Sequence, residues 1–119
     1  MDSLSEEIAK GNFVRAAQLA ASLDMPKEEV HQIRQKALWR MSAINRNAPG
    51  TKKLAKQYWL SKGELKKLLE TMAKEQRKQR HEEGLESRYD LGTGRYLTFE
   101  EWLDLLVKDW KRLPSVNTS

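Results

Sequence analysis

The chain has 119 residues, 39% of them hydrophobic and 33% charged, so it can bury one modest core but not two independent ones. It has no cysteine, which excludes disulfides, thiolate zinc sites and a thiol nucleophile, and favours a cytoplasmic location. The net charge of +5 is concentrated in residues 52–80, with 10 Lys/Arg against 3 Asp/Glu, whereas residues 81–119 carry 5 against 8. The positive potential therefore belongs to the middle of the chain.

Three helices are predicted before the first break in the chain. Apolar residues at helical spacing favour helices over residues 4–10, 12–24 and 27–45. The third helix has a clear start signal, because Pro26 suits the first helical position and Glu28 and Glu29 suit the first turn. The alanines of the second helix indicate close helix packing. Pro49 and Gly50 predict a break over residues 45–50, with a new unit beginning at Thr51.

Two further helices, over residues 51–58 and 62–82, are predicted in the basic middle of the chain. Ser61 can cap the second of them by accepting a hydrogen bond from a first-turn amide. This helix continues past its last apolar residues, Met72 and Ala73, into a stretch with nothing to bury. We expect that extension to be solvated or bound to something acidic.

A hairpin and a last helix are predicted in the C-terminal region. The stretch "YDLGTGRYL" places aromatic and apolar residues on both sides of Gly92-Thr93-Gly94, which predicts two short strands. Thr98 and Glu101 form a capping box before a helix over residues 99–112. We therefore predict a mainly α, compact multi-helix fold with one short β-hairpin. It is a single domain, with N-terminal helices in 1–47, the basic region in 51–82, and the hairpin and C-terminal helix in 88–113.

The spacing of apolar residues in the basic region resembles the helix-turn-helix family of DNA-binding proteins. The matching residues are Leu54, Ala55, Tyr58, Leu60, Leu65 and Leu68. They lie within residues 51–70, about one-sixth of the chain. The sequence departs from the family at Trp59, where the turn usually carries glycine because the backbone often needs a positive φ. We therefore expect a different turn, or a tryptophan committed to the core.

The resemblance implies that the second helix of the pair enters the major groove and that nearby cations follow the phosphate backbone. The DNA-binding residues it predicts are Thr51, Lys52, Lys53, Ser61, Lys62, Gly63, Lys66, Lys67, Lys74, Arg77, Lys78 and Arg80. Most are lysines, which neutralise phosphate but lack the planar fork of arginine. The segment therefore favours phosphate affinity over base readout.

The resulting interpretation is a small non-enzymatic DNA-binding protein with a role in transcription regulation. Its acidic residues lie at caps and on helix surfaces, without the nucleophile and base that catalysis needs. Duplex DNA is favoured over RNA, because no aromatic stacking sheet is predicted. The alternative is a helical module that docks an acidic protein partner through the basic helix or through an exposed tryptophan such as Trp39. A homodimer formed through the C-terminal region is compatible with the DNA-binding interpretation.

No cofactor, metal site or membrane segment is expected. The two histidines, His31 and His81, lie far apart in the sequence and belong to no ligand motif. Gly92-Thr93-Gly94 lacks the lysine of a phosphate-binding loop, so we interpret it as a hairpin turn. The N-terminal sequence has no apolar targeting region, and no run approaches the roughly 18 apolar residues of a membrane span.

Overall fold

The structure, a computed structural model, describes residues 3–81, 83–108 and 110. Within these residues the chain forms six α-helices, one short π-helix and one two-stranded antiparallel hairpin. In chain order the elements are α1 Ser3–Ala9, α2 Phe13–Ser22, α3 Lys27–Trp39, the π-helix Arg40–Ile44, α4 Ala48–Gln57, α5 Lys62–Lys78, β1 Arg88–Asp90, β2 Arg95–Leu97 and α6 Phe99–Lys108. The predicted mainly α fold with one short hairpin is confirmed.

The chain divides into two compact units, Met1–Arg40 and Met41–Ser119. In the first unit, α1 and α3 both pack on α2. The buried face of α2 consists of Ala16, Ala17 and Ala20, each at most 2% exposed. Because these side chains are small, they let neighbouring helix axes approach closely. This small core is completed by apolar residues from all three helices.

Helix α4 begins at Ala48, earlier than the predicted start at residue 51. The Asn47 side-chain oxygen accepts a hydrogen bond from the Gly50 backbone N–H at 2.9 Å and so caps the helix. Pro49 lies in the first turn, where its missing N–H leaves no intrahelical bond unmade. The predicted break over residues 45–50 is therefore present but shorter, covering residues 45–47, because Pro49 and Gly50 lie inside the first turn of α4.

Helix α5 begins where the sequence predicts, because Ser61 and Glu64 form a complete capping box. The Glu64 backbone N–H donates to Ser61 Oγ at 3.1 Å, and the Ser61 N–H donates to Glu64 Oε1 at 2.8 Å. The helix ends at Lys78, before the predicted residue 82, and Arg80 then adopts a left-handed φ of 62°. The buried apolar residues that stabilise α5 end at Ala73. Beyond Lys78, the chain therefore lacks the tertiary packing that would extend the helix further.

The predicted hairpin is present as β1 and β2. The paired residues are Arg88 with Leu97, Tyr89 with Tyr96, and Asp90 with Arg95. Asp90 shapes the turn by accepting a hydrogen bond from the Thr93 backbone N–H at 2.8 Å. Gly94 adopts a left-handed φ of 72°, which disfavours any residue with a Cβ. Local turn chemistry therefore accounts for the hairpin.

Helix α6 begins with the predicted capping box, in which the Thr98 N–H donates to Glu101 Oε1 at 2.8 Å. Its buried residues are Phe99, Trp102, Leu103 and Leu106. This face packs α6 against α5, and α6 also contacts β2. The helix is described to Lys108, and its predicted continuation to residue 112 falls largely outside the described residues.

Arg46 joins three segments of the second unit through its guanidinium group. It donates hydrogen bonds to the backbone carbonyls of Ala43, Gly84, Glu86 and Leu97 at 2.9–3.2 Å. Burial, followed by the nearby charge of Arg88, lowers the pKa of Arg46 below its usual value. Because its guanidinium N–H groups donate to backbone carbonyls, Arg46 stabilises the fold and is not a candidate for binding a polyanion.

Candidate nucleic-acid interface

The turn between α4 and α5 has a helix-ending geometry that requires a left-handed residue. The Leu60 N–H donates to the Ala55 carbonyl at 2.9 Å, and the Trp59 N–H donates to the Lys56 carbonyl at 3.1 Å. This pair of bonds is a Schellman motif, in which the residue after the helix cap takes a positive φ. Trp59 occupies that position with a φ of 61°. The turn therefore has the backbone conformation that glycine usually supplies.

Both expectations for Trp59 were wrong. The turn keeps the left-handed conformation instead of changing type, and the Trp59 side chain is 90% exposed instead of lying in the core. The other described tryptophans are much less exposed: Trp39 is 9% exposed, Trp102 is 5% exposed, and Trp110 is partly buried. The burial of Trp39 also disagrees with the expectation that its side chain is open for an interface.

Several helix-turn-helix positions are buried as the resemblance implies. Ala55 and Leu65 are 0% exposed, and Leu54 is 3% exposed. Leu68 is only half-buried, and the deepest leucine of the next turn is Leu69, at 0%. In this turn of α5 the fully buried leucine is therefore Leu69, whereas the helix-turn-helix pattern predicts Leu68.

Two of the predicted DNA-binding residues are buried. Thr51 is 0% exposed, and its hydroxyl donates to the Asn47 carbonyl at 2.7 Å. Lys52 is 5% exposed, and its Nζ lies 5.7 Å from the centre of the Trp110 ring. Both were expected at an exposed helix start, but α4 begins earlier and turns them inward. Neither is accessible to a phosphate, whereas neighbouring Lys53 is exposed.

Two more predicted residues, Lys66 and Arg77, pair with acids of helix α6. Lys66 Nζ lies 3.5 Å from a carboxylate oxygen of Asp104 and 3.7 Å from one of Glu70. The Arg77 guanidinium forms an ion pair with Glu100. Helix α6 therefore lies against the basic helix α5, and two of its acids neutralise cations on one side of α5.

A different face of α5, roughly a quarter turn around the helix from Lys66 and Arg77, carries an exposed lysine row, defined here as Lys67, Lys74 and Lys78. These residues are spaced by seven and four positions, so they lie on one face of the helix. All three are exposed, and in the part of the chain that the structure describes none of them forms an ion pair. Over 11 residues at roughly 1.5 Å each, the row extends about 16 Å along the helix axis.

The remaining predicted residues lie near the ends of α5. Ser61, Lys62 and Gly63 are exposed at its start. A Cβ added to Gly63 would meet nothing within 4 Å, so no protein atom occupies the space beside its backbone. Arg80 is exposed beyond the other end. Together with Arg77, Leu85 and Glu86 it lines an open cleft.

Sequence reasoning missed the exposure of Trp59 and the pairing of α6 acids with α5. A signal for the pairing was present, because Glu100 and Asp104 are four residues apart and border the apolar stripe that α6 must bury. For Trp59 no comparable signal exists, because a tryptophan in a turn can be buried or exposed with equal ease.

Other kinds of site find little support in the described ranges. No group of three or more histidine or acidic side chains there could hold a metal ion. Nor is any helix in that part of the chain long and apolar enough to cross a membrane. No family model matches the sequence, and no curated protein or solved structure matches it either. The geometry and charge of α4 and α5 are therefore the basis on which a function can be inferred.

Proposed function

We propose that this protein is a small non-enzymatic DNA-binding protein that acts in transcription regulation. The observation that carries the proposal is the exposed lysine row on α5, which follows the turn where Trp59 has the left-handed φ that glycine usually supplies. A polyanion that approaches this side meets Lys67, Lys74 and Lys78 without displacing any described ion pair. A cytoplasmic location, which the cysteine-free sequence favours, is part of the same proposal.

The chemistry of the lysine row supports phosphate binding more than reading of base sequence. Each lysine that neutralises a phosphate releases counterions, which contributes affinity on any DNA sequence. Lysine is a point charge, whereas bidentate recognition of guanine is most often made by arginine. We therefore expect tight binding at low salt, a steep loss with added salt and little preference among duplex sequences.

The start of α5 supports an approach of DNA from the same side. Gly63 precedes Lys67 by four residues and so lies on the face of the lysine row. Its open backbone allows a closer approach than a side chain would, and the exposed Lys62 adds a cation to the first turn. The proposed contact surface therefore runs from Lys62 through Gly63 to the lysine row.

The test is a charge reversal on the row with a matched control. Fluorescence anisotropy with a random duplex across a salt series would compare the wild type with K67E/K74E and with K10E/K27E. The control reverses two exposed lysines of the first unit and changes the net charge equally. We expect K67E/K74E to weaken binding by roughly tenfold or more and to flatten the salt slope, because two phosphate contacts are lost.

The control should bind nearly as the wild type does. Equal losses in both variants would show that only net charge matters and would contradict a site on α5. No binding of the wild type, even at low salt, would refute DNA binding altogether. Thermal unfolding of each variant, followed by circular dichroism, would show that the comparison is between folded proteins.

A second candidate function is docking of an acidic protein partner. One observation favours it: cations of α5 already form ion pairs with the carboxylates of Glu100 and Asp104 within the same chain. An acidic surface of another protein could use Lys67 and Lys74 in the same way. Binding to an acidic protein that duplex DNA does not displace at physiological salt would support this candidate over the first.

A further inference from the structure

Trp59 is exposed in a way that the fold does not account for. Its side chain is 90% exposed, although an indole is among the largest apolar surfaces that a protein can bury. It lies on the turn between α4 and α5, next to the proposed DNA-contacting helix. The fold therefore gains little packing from this tryptophan.

The backbone gains nothing from tryptophan at this position either. The Schellman motif that ends α4 places residue 59 at a φ of 61°, a conformation that bulky side chains disfavour. Glycine or asparagine would suit the turn better. Neither packing nor backbone preference explains the residue, which points to a contact outside this chain.

Charges on both sides of the turn indicate what kind of ligand would meet the indole. Lys56, at the end of α4, and Lys62, at the start of α5, are both exposed and lie three residues to either side of Trp59. A ligand that covers the indole therefore lies within reach of two exposed lysine side chains, one from the end of α4 and one from the start of α5. Nucleic acid combines the two complementary features, a flat aromatic face and flanking phosphates.

We propose that Trp59 stacks on an unpaired base of the bound DNA, with Lys56 and Lys62 contacting the adjacent phosphates. This inference rests on the proposed function and narrows its ligand. In an intact duplex the faces of the bases are already stacked, so an indole gains access only by unstacking them. An unpaired base offers its face at much lower cost. The preferred ligand is therefore a duplex interrupted by a bulge or a short single-stranded gap.

The experiment compares two DNAs and three full-length proteins by fluorescence anisotropy at one salt concentration. The DNAs are an intact duplex and the same duplex with a two-base gap. The proteins are the wild type, W59N and W59F. Asparagine removes the ring and relieves the left-handed strain, so W59N should unfold at the same or a higher temperature than the wild type. Phenylalanine keeps both the strain and a ring that can stack.

We expect the wild type to bind the gapped DNA about 5- to 150-fold more tightly than the intact duplex, the range for stacking on one base. W59N should lose the preference for the gapped DNA while keeping its affinity for the intact duplex. W59F should keep most of the preference for the gapped DNA. The proposal is overturned if W59N still prefers the gapped DNA, or if the wild type binds both DNAs equally. In the second case the proposed function stands, whereas failure of the wild type to bind either DNA would refute both.

Discussion

Helix α5 carries cations on two sides, and the rest of the chain treats the two sides differently. On one side, Lys66 and Arg77 are paired with Asp104 and Glu100 of α6. On the other side lies the exposed lysine row, which forms no ion pair in the described part of the chain. The count of basic residues in 52–80 therefore overstates the positive charge that a ligand meets, because α6 neutralises part of it.

Among the variants that test this difference between the two sides, the largest effect should come from removing the acids that neutralise the first side. In E100Q/D104N, Lys66 and Arg77 lose their α6 partners, so Arg77 becomes available to phosphate and Lys66 keeps only the exposed Glu70 as a partner. We expect roughly three- to tenfold tighter duplex binding and a salt slope steeper by up to about 1.8, or about 0.9 per added contact. Surface ion pairs stabilise proteins by only about 0–1 kcal/mol each, so the variant should remain folded.

The matched control is E6Q/E29Q, which removes the same charge from two exposed acids of the first unit. Anisotropy titrations across a salt series measure both variants. An equal gain in the two would show that only the net charge had changed. That result would remove the distinction between the two sides of α5.

A smaller effect is expected at Gly63, on the exposed side. Alanine there should stabilise the protein by about 0.5–1 kcal/mol, because it favours the helix and its Cβ meets no atom within 4 Å. Urea unfolding followed by circular dichroism measures the change. The contrasting variant is G94A, at a φ of 72°, which should destabilise the hairpin turn. Destabilisation by G63A would mean that this side of α5 is packed after all.

The smallest effect concerns the pH dependence of the α5 start. Hydrogen bonds from Ser61, first from its backbone amide and then from its side chain, lower the pKa of Glu64 in the folded protein. A lowered folded pKa gives stability that is fully present above the unfolded pKa of about 4.3 and is lost as pH falls through the folded value. Acidification through this window should therefore weaken the capping box.

The matched variant is E64Q, because glutamine can make the same capping box but does not titrate. Urea midpoints measured from pH 7 to pH 3 should favour the wild type at neutral pH, and the difference should shrink on acidification. A difference that stays constant over this range would show that the Glu64 charge does not contribute to the cap.

Local features of the fold were predictable because they depend on residues close together in sequence. The capping boxes at Ser61 and Thr98 and the turn of the hairpin all lie where the sequence places them. The start of α4 was missed although its signal is also local. Asn47 caps a helix that contains Pro49, and this signal was outweighed by the expectation that proline breaks helices.

The residues of the candidate site were less predictable, because a side chain can contact a ligand only if the fold leaves it exposed. Thr51 and Lys52 are residue types that often bind phosphate at a helix start, but here their side chains are buried. Trp59 is a large aromatic residue of the kind that usually lies in a core, but here its side chain is exposed to solvent. A residue type does not specify which face of a helix will be covered, since that depends on the helix that packs against it.

The sequence by itself determined the mainly α composition, the two capped helix starts, the hairpin and the concentration of positive charge in residues 52–80. These follow from side chains that bond to backbone only a few residues away and from the period of apolar residues. Only the tertiary structure decided which cations a ligand can reach. Helix α6 brings Glu100 and Asp104 to Arg77 and Lys66 across more than twenty residues of sequence, and the spacing of the two acids on α6 does not specify which cations they meet.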